Sequence, residues 1–144
     1  MTSGDLERFV SAQESVLPQV DAELKAGRKV THWMWFVFPQ LAGLGRSSTA
    51  QFYGIDDLRH AQRYLAHPVL GRRLRQHVGF LLQHAGKTAH DILGAPDDLK
   101  LHSCLTLFKA ASSTQEDEAL FGKGLEQFYS GEPDRHTLAL LQKR

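Results

Sequence analysis

A chain of 144 residues with 42% hydrophobic and 23% charged residues is long enough to bury one sizeable core and lies outside the composition of disordered proteins. Formal net charge is +1, and the one cysteine, Cys104, excludes an internal disulfide framework and any cysteine-rich zinc site. The N-terminal stretch lacks the basic and apolar regions of a secretory signal, and no apolar run is long enough for a membrane-spanning helix, so a reduced, cytoplasmic setting is expected.

Taken in chain order, Asp5 is a candidate cap for a first helix with Leu6, Phe9, Val10, Ala12 and Val16 at helical spacing. Pro18 interrupts it, and a helical pattern resumes over 19–26 and stops at Gly27. Thr31–Phe38 fits a strand or a helix by period, and its apolar surround predicts burial on more than one side. Pro39 ends that element, 40–48 reads as a loop, and Ser47 or Ser48 caps a short turn through Phe52. Asp56 is the expected cap of the next helix, with Leu58, Ala61 and Leu65 on its inner face. His67-Pro68 opens a longer one in which Leu70, Leu74, Val78, Leu81 and Ala85 form the cleanest amphipathic stripe, ended by Gly86. Thr88 caps a short turn through Leu93. Asp97 or Asp98 starts an expected central helix with Leu101, Cys104, Leu105 and Phe108 inward, widened by Leu99 and Leu107. Thr114 and Asp134 are candidate caps for the last two helices, whose inner residues are Phe121, Leu125, Phe128 and then Leu138, Leu141. The prediction is an all-α, compact multihelical domain over residues 1–144 with about seven or eight short helices.

The run His32–Gln40 (HWMWFVFPQ) continues into Leu41–Gly45, and it is joined by His67–Gly71, Pro96–Lys100 with Leu105–Phe108, and Gly131–Asp134. Together these segments resemble a bacterial family of uncharacterised proteins, domain of unknown function family 1810, sometimes mislabelled calpastatin. The similarity spans almost the whole chain. It implies a compact helical domain and decides Thr31–Phe38 in favour of helix, but it brings no activity and no catalytic residue. The calpastatin label fails on composition, because such inhibitor segments are disordered until bound.

Four constellations carry chemistry. His32, Trp33, Trp35 and Gln40 offer polar handles on apolar bodies, suited to orienting a planar ligand; the same residues also serve as core. The loop Gly43–Thr49, with Arg46 and Ser48, permits close backbone approach to an anion, yet lacks the spacing and lysine of a phosphate-binding P-loop. Residues 58–90 carry six basic and no acidic side chains, whereas 1–57 and 91–144 are net acidic. On the long helix Arg72, Arg73, Gln76 and His84 fall off the apolar stripe, which predicts an exposed basic face, or one neutralised by acids at 91–98 and 116–118. Asp97, Asp98, Lys100 and Ser103 read as an acid–base group or as first-turn charges. Histidine spacing fits no metal site, no cofactor is implied, and Cys104 reads as an inert buried thiol.

Two functions of different class follow. One is a domain binding a small anionic ligand, nucleotide-like or phosphorylated, through His32, Trp33, Trp35, Gln40, Arg46, Ser48 and Tyr53, enzymatic or not. The other is a non-catalytic protein-interaction module using the Arg-rich face. Near-neutral charge and the lack of a recognisable nucleic-acid motif argue against a dedicated nucleic-acid binder.

Overall fold

Helices occupy most of the chain in the computed structural model, which describes residues 6–142. In order they are α1 (Glu7–Glu14), α2 (Leu17–Ala26), α3 (Met34–Val37), α4 (Ser48–Phe52), α5 (Leu58–Ala66), α6 (Leu70–Leu82), α7 (Ala89–Leu93), α8 (Asp97–Ala111), α9 (Gln115–Tyr129) and α10 (Arg135–Gln142). A 3-10 turn, Ala42–Leu44, lies between α3 and α4. The architecture is all-α, as periodicity and family resemblance predict. Seven of these helices have eight residues or more; α3, α4 and α7 are single turns.

Most of the predicted caps form. Gly27 ends α2 in the left-handed region at φ 75°, where a side chain would be strained. Ser47 accepts from Ala50 N–H, Thr114 from Asp117 N–H, and Thr88 forms a reciprocal capping box with Asp91. Asp134 Oδ2 accepts from the N–H and the hydroxyl of Thr137. Asp5 lies outside the described residues.

Four expectations shift. Pro18 sits in the first turn of α2 instead of breaking a helix, since its missing N–H has no partner there to lose. Asp57, not Asp56, caps α5 by accepting from His60 N–H. The helix expected from His67-Pro68 begins at Leu70, because the His67 imidazole takes the Val69 and Leu70 N–H groups at 3.1 and 3.2 Å. It ends at Leu82, short of Gly86, which leaves Ala85 of the predicted stripe outside the helix and exposed.

The core is organised around α8, which packs against α5, α7, α9 and α10. Leu101, Ser103 to Phe108 and Ala111 are all buried, so both sides of this helix meet neighbours. Rings link the layers: Phe9 of α1 meets Tyr64 of α5 at 5.3 Å, Tyr64 meets Phe108 of α8 at 5.2 Å, and Phe108 meets Phe121 of α9 at 6.1 Å. Leu99 is the exception to the predicted inner face, standing 64% exposed in the first turn of α8. The His32–Gln40 segment enters this core through Trp33, Met34, Val37 and Phe38, and an isolated bridge between Leu41 and Ile55 holds its far end.

Candidate functional site

The two tryptophans part company. Trp33 is enclosed, and its indole N–H donates to Glu23 Oε1 at 2.9 Å. The same carboxylate accepts Val30 N–H at 2.9 Å, Thr31 N–H at 3.1 Å and the Thr31 hydroxyl at 2.7 Å. Burial raises the Glu23 carboxyl pKa, but the hydrogen bonds from Val30, Thr31 and Trp33 together outweigh it and hold it at about 2. One anion therefore ties Val30, Thr31 and Trp33, the second half of the connection from α2 to α3, back to α2. Of the two readings of Trp33, cleft or core, the structure places it in the core, where Glu23 satisfies the only polar atom of its side chain.

Trp35 is half-buried and borders a narrow cleft. Gln40, Tyr53 and Lys100 supply the polar side chains of this cleft, and Met34, Phe38 and Ala50 complete it. Its enclosed volume is only about 10 Å³, room for a single water-sized group. Lys100 Nζ sits 5.2 Å from the Trp35 ring centroid, a cation–π contact. It also lies 3.7 Å from Asp97 Oδ1, while Lys29 takes the other oxygen at 2.9 Å. Lys29 in turn rests 5.1 Å over Trp33. Two lysines thus share one carboxylate, and the closer contact belongs to Lys29, which is only 7% exposed. Lys100 thus has no carboxylate of its own and holds the longer contact to the shared one.

Among the described residues, the side-chain polar atoms of Trp35, Gln40 and Tyr53 hydrogen-bond to no protein group. By contrast, the buried amide of Gln13 is paired on both its nitrogen and its oxygen. Gln13 donates to Phe36 O at 2.6 Å and to Tyr64 at 3.2 Å, and accepts from Arg73 at 3.3 Å.

The remaining predicted ligand residues do not gather there. His32, Arg46 and Ser48 are exposed and outside the cleft. The glycine loop closes on itself instead of on a ligand, since Gln51 Nε2 donates to Ala42 O at 2.9 Å and Gly45 O at 2.5 Å. A Cβ at Gly45 would lie 2.5 Å from Ala50 Cβ, so this glycine serves the close approach of α4. The predicted basic face also needs correction. Arg72 and Gln76 are exposed, but Arg73 is buried with its guanidinium 2.7 Å from Glu14, and half-buried His84 contacts Leu24 O at 2.8 Å. The reason is packing: α6 is flanked by α2, α5 and α9, so a residue off its main stripe meets another element. Arg75 pairs with Asp117 through contacts of 2.7 and 3.0 Å, as the neutralised reading of this segment expects.

A wider groove of about 560 Å³ runs between Leu41, Gly43, Leu58 and Leu140, rimmed by Asp56, Asp57 and Arg59. Its two carboxylates against one guanidinium disfavour an anion, so the smaller, cationic cleft is the candidate for the expected chemistry.

Residues 3–141 match the model of a family described as Protein of unknown function (DUF1810). The chain belongs to this family. A solved structure, the conserved hypothetical protein Rv1873 from Mycobacterium tuberculosis, is similar at 50% identity, with a TM-score of 0.92 over 97% of this chain and 98% of that one. Comparison with curated proteins finds no match.

Other candidate chemistries dissolve on inspection. Cys104 is fully buried and its thiol pKa is pushed up by desolvation, so it is no nucleophile. Ser103 Oγ lies 3.3 Å from both Leu99 O and Asp134 Oδ2, which ties it to the start of α10 and away from Lys100. No group of histidine, cysteine and acidic side chains among the described residues could hold a metal ion. No helix among them is long and apolar enough to cross a membrane. Lys29 escaped the sequence reading of the site. Its only signal was a cation four residues before an aromatic in a segment with no period. Lys100 was seen as a first-turn charge; its approach to Trp35 joins segments 65 residues apart and has no local signature.

Proposed function

We propose that this domain binds a small anionic ligand, with its carboxylate or phosphate group at the Trp35–Lys100 cleft. The observation that carries the reading is the pairing of a lysine that lacks a carboxylate of its own with unused donors. Lys100 shares its counter-ion with Lys29, and Gln40, Tyr53 and Trp35 beside it make no hydrogen bond to protein among the described residues. An anionic oxygen would complete the charge and accept from these groups at once. The small volume admits no more than one oxygen of that group; the rest of the group and of the ligand lies at the mouth of the cleft. His32, Arg46 and Ser48 then act only as outer charges and donors, and Trp33 only as support. The protein-interaction reading draws less support, since Arg73 and Arg75 are already engaged with Glu14 and Asp117.

Thermal-shift titration with inorganic phosphate, sugar phosphates, nucleotides and short carboxylates tests the proposal. A ligand at 100 times its Kd stabilises the fold by about 2.7 kcal/mol. Lys100→Met should abolish that shift while leaving the unliganded Tm within a few degrees. No shift with any of these anions, or shifts indifferent to Lys100→Met, would overturn it.

A further inference from the structure

Three large hydrophobic residues among those described are markedly exposed: Val30 at 68%, Leu99 at 64% and Phe52 at 58%. Each is the chain neighbour of a residue already placed at the charged cluster or its cleft, namely Lys29, Lys100 and Tyr53. Phe52 is the one that offers an aromatic ring. Its ring packs edge-on to Tyr53 with centroids 4.8 Å apart, and Tyr53 lines the cleft beside Lys100. Tyr53 is itself anchored, 5.2 Å from Phe36 and 5.9 Å from Phe9. The Phe52 backbone is fixed as well, since Arg8 Nε donates to Phe52 O at 2.7 Å. The Arg8 guanidinium carbon lies 5.8 Å from the Phe52 ring centroid, adding a second cation at this end. The ring is thus presented on a rigid aromatic base, next to a cleft that admits no more than one oxygen atom of a charged group.

We infer that Phe52 is a stacking platform for an aromatic heterocycle, and that the ligand class is a nucleoside 5′-phosphate with its phosphate at Lys100. The inference rests on the anion-site reading above and adds to it the identity of the part left outside. A flat π-system covers the exposed ring, whereas an aliphatic or sugar tail leaves Phe52 in water. Base-on-aromatic stacking strengthens binding roughly 5- to 150-fold, so the heterocycle should dominate selectivity among phosphates. Phosphate supplies the charge and the base supplies the discrimination.

Calorimetric titration of the full chain with inorganic phosphate, ribose 5-phosphate, adenosine and adenosine 5′-monophosphate separates the two claims. The monophosphate should bind at least 10-fold tighter than ribose 5-phosphate. Phe52→Ala, at an exposed position, should erase that preference and leave ribose 5-phosphate affinity unchanged. Lys100→Met should weaken both phosphates. If ribose 5-phosphate binds through Lys100 but the monophosphate is no tighter, or if Phe52→Ala keeps the preference, the stacking inference fails and the anion site stands. If no phosphate binds, the inference fails, and the anion reading then stands only on a carboxylate shift that Lys100→Met removes.

Discussion

Replacing Glu23 by glutamine tests whether a single carboxylate holds the connection that carries Lys29 and Trp33. The side chain accepts four hydrogen bonds, at 2.9, 3.1, 2.7 and 2.9 Å, from two backbone N–H groups, a hydroxyl and an indole. They outweigh desolvation and lower its pKa from 4.5 to about 2. At about 1.36 kcal/mol per unit this corresponds to no more than about 3 kcal/mol at neutral pH, and solvent screening at the rim reduces it to roughly 2 kcal/mol. The folded-state pKa is depressed, so the contribution is complete above pH 4.5 and drains away as pH falls toward about 2. Glutamine keeps the shape but not the charge, and its amide nitrogen presents a donor to donors. Urea denaturation of the native protein and Glu23→Gln at pH 7 should differ by about 2 kcal/mol, with the gap falling to less than half by pH 3. A gap that is the same at both pH values would show that packing, not the charged acceptor, carries the effect.

Three further outcomes follow from buried polar groups and close contacts. His77 is 1% exposed, and desolvation lowers its pKa despite Asp21 Oδ1 at 3.3 Å, which works to raise it. The unfolded chain then binds the proton more readily, so stability should fall as pH drops below about 6.5. A flatter Tm-versus-pH curve between 7 and 5 in His77→Gln checks the sign. Arg75→Ala leaves Asp117, whose side chain is 10% exposed, without its guanidinium partner. The expected loss is roughly 2 kcal/mol, between the values for exposed and buried pairs, and Asp117→Asn in the Arg75→Ala background should recover part of it in the same denaturation assay. Gly54→Ala places a Cβ 2.4 Å from Ala42 Cα and Cβ, in a backbone contact that cannot yield by a rotamer change. A loss of about 1–3 kcal/mol and a lower Tm are expected, with no loss on substituting Gly79, where a Cβ meets nothing.

The parts of the fold legible in the sequence are those whose cause is local. Thr88, Thr114, Ser47 and Gly27 mark helix ends through bonds or dihedrals made within a few residues, and each does so in the structure. The inner stripe of α6 is legible for the same reason, since Leu70, Leu74, Val78 and Leu81 are all buried. What fails is the complement of that stripe. Arg73 and His84 read as solvent-facing by elimination, yet α1 supplies Glu14 and Gln13, and α2 supplies the Leu24 carbonyl, to receive them. Those partners lie about 60 positions away, and no periodicity reports them. The glycine loop misleads in the opposite sense. Gly45 signals close approach correctly, but the approaching atoms are those of Ala50 of the protein itself.

The candidate site divides along the same line. Trp33, Trp35, Gln40 and Tyr53 stand out by type, whereas the difference between them is set by which charged group each one meets. Trp33 has Glu23 as acceptor for its N–H and Lys29 on its face, so both its polar edge and its π-surface are used. Trp35 has only Lys100 on its face, and Lys100 is the lysine left with the longer contact to Asp97. Exchanging the roles would need Lys29 to release Asp97, at 2.9 Å and with its own backbone N–H held by Ile92 O at 2.7 Å. The asymmetry is therefore built into the backbone. One tryptophan completes the core, and the other stands beside the lysine with the longer contact to Asp97, its N–H bonded to no protein group among the described residues; the proposed anion would therefore be met at Trp35 and not at Trp33.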